Sequence, residues 1–75
     1  MLSRPKKRSV TINKHNTSVS LEDLYWDSIS EIASKKNKGI NQLISEIDEG
    51  RDNNCGLASA IRVFILNYYK SIRIK

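Results

Sequence analysis

Residues 17–21, Thr-Ser-Val-Ser-Leu, alternate strictly, with Val19 and Leu21 facing one way and Ser18 and Ser20 the other. At residue 21 the period changes from that of a strand to that of a helix. A lone alternating strand cannot satisfy its own backbone donors and acceptors. It therefore needs a partner strand, taken from its N-terminal neighbour or from its twin in a second copy. Behind it, Tyr25, Trp26, Ile29, Ile32 and Ala33 form one side of a predicted helix over about residues 21–36. The breaker Lys36-Asn37-Lys38-Gly39 follows, with Gly39 expected to supply the conformational freedom for the break. Ile40, Leu43, Ile44 and Ile47 then mark a second helix over about residues 40–49. Strand, helix, turn, helix is the order to be explained.

At the front of this unit, Ser20 with Asp23 three residues on reads as a capping box for the first helix, and Glu22 and Asp23 suit the positive end of its dipole. Upstream, Ser9-Val10-Thr11-Ile12 is a second short alternating run. The polar Asn13-Lys14-His15-Asn16 either closes a hairpin or lets one long strand bend. Downstream of the turn-forming residues 48–54, Asn53 or Asn54 is the expected cap of a third helix over about residues 56–72. Its main stripe is Leu57, Ile61, Phe64, Ile65, Tyr68 and Ile72. Ala58, Val63, Leu66 and Tyr69 fall outside that stripe, which implies contact with more than one element. The chain thus divides into a flexible basic arm (1–8), one domain (9–72) and a basic tail (73–75).

At 75 residues a single chain buries a modest share of its surface, so self-association is a natural route to stability. The charge is segregated. Residues 1–20 carry Arg4, Lys6, Lys7, Arg8 and Lys14 and no acid, residues 21–50 carry a net −4, and residues 51–75 a net +4. A basic arm leading into a strand is the footprint of a protein that neutralises nucleic-acid phosphates. The same arm also fits a solvated tail.

Enzymatic chemistry is not expected. The one histidine, His15, and the one cysteine, Cys55, lie on different elements, so no nucleophile has a base beside it. No cluster of metal ligands and no glycine-rich phosphate loop is present, and neither a metal nor another cofactor is expected. The lone cysteine excludes an internal disulfide and fits a reducing compartment, with the cytoplasm as the expected location. No apolar run approaches the roughly 18 residues of a membrane span, and no signal peptide is read.

Ser18-Val19-Ser20-Leu21-Glu22-Asp23-Leu24-Tyr25-Trp26, with Ile29, Ile32 and Ala33 behind it and Lys38-Gly39-Ile40-Asn41 opening a second helix, resembles the ribbon-helix-helix family of bacterial DNA-binding proteins. The pattern from His15 through Thr17 to Glu22, then Trp26, Ala60-Ile61-Arg62-Val63-Phe64 and Tyr68-Tyr69, is similar to a short subfamily of mostly unassigned role. The resemblance covers about residues 8–70.

It implies a mainly α fold with one short strand per chain, at about residues 17–21, and an intertwined homodimer built on an intermolecular antiparallel ribbon, as in Arc and MetJ. Such a ribbon enters the major groove of double-stranded DNA. Val19, Leu21, Tyr25, Trp26, Ile29, Ile32, Ile40, Leu43, Ile44 and Ile47 would then form the dimer core. Asn16, Ser18 and Ser20 would face the groove, with Ser20 committed more to its helix cap than to a base. The amides from Gly39 to Asn41, with Lys38, would meet a phosphate. Because Ser18 and Ser20 are short, recognition would draw on Arg8, Lys14, His15 and Asn16, with Arg4, Lys6 and Lys7 behind them, as basic arms do in minor grooves. The function implied is a homodimeric, sequence-specific transcriptional regulator. The alternative is an antitoxin-like or adaptor dimer that docks a protein partner through the third helix.

Overall fold

The computed structural model describes residues 4–73. Residues 1–3 of the basic arm and 74–75 of the tail lie outside the described residues. Two antiparallel strands, β1 (Lys6–Ile12) and β2 (His15–Leu21), are followed by helices α1 (Asp23–Lys35), α2 (Ile40–Gly50) and α3 (Leu57–Arg73).

The strands pair with each other inside one chain, which corrects the expectation of one short strand per chain. The cause is local. Asn13 and Lys14 both adopt positive φ, 51° and 71°. Two successive left-handed residues make the type I′ geometry whose twist matches that of paired strands. The hairpin closes over these two residues, and His15 and Asn16, expected in the connection, belong to β2. Lys6, Lys7 and Arg8, expected in a flexible arm, belong to β1.

In the resulting register, Lys6↔Leu21, Arg8↔Val19, Val10↔Thr17 and Ile12↔His15 lie on one face of the sheet. Lys7↔Ser20, Ser9↔Ser18 and Thr11↔Asn16 lie on the other. The first face covers the core through Val10, Val19 and Leu21, all of them buried. Arg8 is the one charged residue at the centre of that face.

Ser20 does not cap α1. It is exposed on the outward face opposite Lys7, the strand runs on to Leu21, and the N-cap is Glu22, in extended backbone without a side-chain cap bond. Pairing with β1 holds the chain extended past the point where the serine could turn back on the helix. The other end of α1 also departs from expectation. Asn37, at φ 58°, takes the left-handed position, while the Lys38 N–H bonds to Ala33 at 2.9 Å and the Asn37 N–H to Ser34 at 3.1 Å. These are the two bonds of a Schellman motif, with asparagine where glycine is usual. Gly39, expected to break the helix, instead has φ −69° and is the N-cap of α2.

Between α2 and α3, Arg51 ties the loop together by donating Nε–H to Asp48 at 2.8 Å and Nη1–H to the Cys55 carbonyl at 2.6 Å. The expected asparagine cap of α3 is not used. Asn54 instead donates its N–H to the Asp52 carboxylate, and Gly56 accepts the N–H of Ala60.

Leu21, Ile29, Ile32, Leu43, Ile44 and Ile61 are fully enclosed, with Ala33, Ile47 and Ile65 around them. Tyr25, Trp26 and Ile40 pack against this core but stay half-buried. α2 lies against β1, and α3 against β2, α1 and α2. The second face of α3 is open in the single chain, since Val63 and Leu66 are 55% and 59% exposed while Tyr69 is half-buried.

Candidate nucleic-acid interface

Seven-residue strands joined by a two-residue turn leave little freedom in which side chains share a face. The outward face carries Lys7, Ser9 and Thr11 from β1 and Asn16, Ser18 and Ser20 from β2. It presents an ammonium, four hydroxyls and a carboxamide, with no acid among them. All are exposed except the half-buried Thr11. Hydroxyls and amides on a flat, twisted surface can bond to phosphate oxygens and to base edges alike.

Thr11 organises one end of this face. Its hydroxyl donates to Asn16 Oδ1 at 3.1 Å, holding the carboxamide by its oxygen and leaving the amide hydrogens available. Its backbone N–H donates to Asn41 Oδ1 at 3.1 Å. The first turn of α2, the outer edge of β1 and the outward-facing Asn16 are thus linked through two hydrogen bonds. Gly39 is exposed beside this point, and a Cβ there would meet nothing within the chain.

The two sheet edges differ. In a hairpin closed by the Ile12↔His15 pair, the backbone groups of Lys7, Ser9 and Thr11 point away from β2, and those of Asn16, Ser18 and Ser20 point away from β1. The β1 edge lies along α2 and gives the Thr11 N–H to Asn41. On the β2 edge the backbone groups of Asn16, Ser18 and Ser20 have no hydrogen-bond partner among the described residues. It is an unpaired strand edge of the kind that recruits another strand.

The cations of β1 are sorted by the pleat. Arg8, on the inward face, donates to the Asp23 carboxylate and to the Leu21 carbonyl, and its guanidinium lies 5.3 Å from the centre of the Trp26 ring. Lys6 reaches the same carboxylate at 3.2 Å. Lys38 pairs with Glu46 at 2.6 Å. Arg4, Lys7, Lys14 and His15 are exposed and have no ion pair among the described residues. Of the basic residues singled out in the sequence, these four are the ones presented to solvent without an acid.

Arg62 donates Nε–H and Nη2–H to one oxygen of Glu22, at 3.2 and 2.8 Å, and lies over the Tyr25 ring. That hydrogen bonding holds the Glu22 carboxyl below its ordinary range. Arg8 first, and Lys6 after it, do the same for Asp23. Both carboxyls are therefore weaker bases in the folded chain than in the unfolded one. On acidification the unfolded chain takes up protons first, so the stability these pairs contribute is complete above about pH 5. It declines as pH falls through about 4 towards the depressed folded values. Urea midpoints between pH 7 and pH 3 should show this loss, and Glu22→Gln combined with Asp23→Asn should flatten it.

Ser9 and Thr11 lie on the outward face, where the order of residues alone did not place them. The signal was present. With a two-residue connection, the alternation of residues 9–12 puts both on the face of Ser18 and Asn16.

A family profile for the ribbon-helix-helix domain matches residues 5–69. The chain belongs to the ribbon-helix-helix family. Comparisons with curated proteins and with solved structures give no match. The matched span begins one residue before β1 and ends within α3, so the hairpin and most of the third helix lie inside the ribbon-helix-helix match. Ribbon-helix-helix proteins are in general DNA-binding regulators that act as dimers, and this chain is of that DNA-binding kind. Among the described residues no helix is long and apolar enough to cross a membrane, and no three His, Cys, Asp or Glu side chains cluster as metal ligands would.

Proposed function

We propose that the protein is a non-enzymatic, cytoplasmic transcriptional regulator that binds double-stranded DNA sequence-specifically as a homodimer. The observation that carries this reading is the acid-free outward face of the hairpin next to the unpaired β2 edge. Two copies pair β2 with β2 across a two-fold axis, satisfying the outward backbone groups of Asn16, Ser18 and Ser20. The central strands form a two-stranded ribbon, and a ribbon of that width enters a major groove about 12 Å wide. Asn16 and Ser18 face base edges, Asn16 being the residue suited to adenine and held ready by Thr11. The free amides at the start of α2, from Gly39 to Asn41, meet a phosphate.

This reading is tested by titrating labelled duplexes from 50 to 200 mM salt and by melting the protein at several concentrations. Affinity should fall steeply with salt, and the melting temperature should rise with protein concentration. Absence of DNA binding at low salt would overturn it.

A second reading, the antitoxin-like or adaptor dimer, draws on the exposed Val63 and Leu66 of α3. It predicts that Leu66→Glu abolishes capture of a protein partner while DNA affinity is unchanged.

A further inference from the structure

The hairpin changes what a β2-paired dimer presents to DNA. Each β2 carries its own β1, so the sheet has the order β1-β2-β2-β1, four strands rather than two. Strands lie about 4.8 Å apart, which puts the two β1 axes about 14 Å from each other. The major groove is about 12 Å wide, so the central pair fits between its walls and the flanking strands fall on the walls themselves.

The side chains are distributed to match. On the outward face β1 carries Lys7 and Ser9, a cation and a hydroxyl, both exposed. Its other two cations, Lys6 and Arg8, lie on the inward face and share the single carboxylate of Asp23. Lys7 alone of the three stands beside Ser20 with no acid partner among the described residues. β2 carries no cation on the outward face, only Asn16, Ser18 and Ser20, the short polar groups that approach base edges closely.

We propose that β1 is a second DNA-contacting strand, with Lys7 and Ser9 bound to the sugar-phosphate walls of the groove while β2 faces the bases. This assignment rests on the homodimeric DNA-binding reading above. It differs from a hairpin that enters the groove alone, where Lys7 and Ser9 would meet base edges.

The test uses the full-length protein and its Lys7→Ala, Ser9→Ala and Lys6→Ala variants. Affinity for a duplex selected from random sequence and for an unrelated duplex is measured across a salt series, with sedimentation to fix the oligomeric state. Lys7→Ala should weaken both duplexes by the same factor, keep the preferred sequence, and reduce the salt slope by close to 2 per dimer, about 0.9 for each phosphate released. Ser9→Ala should weaken both equally with little change in slope. Lys6→Ala, which removes an ammonium paired with Asp23, should reduce the slope less than Lys7→Ala does. An unchanged slope in Lys7→Ala, or a changed base preference in Lys7→Ala or Ser9→Ala, would overturn the assignment while leaving DNA binding intact. A wild-type protein that binds as a monomer overturns the four-stranded geometry, and one that binds no duplex overturns the functional reading as well.

Discussion

Ser18→Pro is expected to separate the protomers of the proposed dimer and to lower affinity for duplex DNA at least about 100-fold, because a monomer keeps only half of the phosphate contacts. Ser18 sits in the middle of β2, opposite Ser9, with its N–H pointing away from β1. Proline is tolerated in a strand where the missing N–H faces outwards, so the hairpin and the core behind it should persist. What the ring removes is a donor on the unpaired edge through which the proposed dimer would form. The control is Val19→Pro, which deletes a bond inside the hairpin and disturbs a buried position, and should unfold the chain. Sedimentation and circular dichroism distinguish the two outcomes. A Ser18→Pro protein that stays folded and dimeric would show that the copies associate elsewhere.

The second large effect is on stability. Leu21→Ala should cost about 2–5 kcal/mol, a large part of the ~5–15 kcal/mol that stabilises a typical domain. Leu21 is fully enclosed, ends β2 opposite Lys6, and lies within two residues of the start of α1. Truncation leaves a void where sheet meets helices. Urea denaturation at fixed protein concentration measures the change. A loss well under 1 kcal/mol would mean that the site collapses around the smaller side chain.

Much of this arrangement can be read directly from the order of residues. Alternation at Val19 and Leu21 identified the buried face of the strand, and the apolar stripes placed three helices to within about two residues of their ends. The hairpin itself was not decidable, because Asn-Lys is a weak turn signal. Lysine has no special ease at positive φ, and the pairing of two seven-residue strands imposes the conformation on it. Ser20 misled for a related reason. A serine three residues before a helix suits a cap only if the chain is free to turn there, and cross-strand pairing keeps it extended. Asn37 took the role expected of Gly39 because asparagine also tolerates the left-handed region and stands one residue past the helix cap. Of the candidate interface, Asn16, Ser18, Ser20 and Lys7 were visible in the sequence, whereas Ser9 and Thr11 depended on the register.

The arm's charge was the least legible property. Five cations without an acid in residues 1–20 read as one electrostatic unit, but the pleat divides the cations of β1 into two populations. Those turned inward are both paired with Asp23, an acid on a different element. Only the tertiary contact reveals it.

The stacking of Arg8 on Trp26 has a practical corollary. Trp26 is the sole tryptophan of the chain and lies half-buried under a guanidinium carried by β1. Its emission therefore reports specifically on whether the hairpin is seated on the helices, separately from helix content measured in the far ultraviolet. The protein thus carries a built-in optical gauge, needing no label, of the packing between β1 and α1.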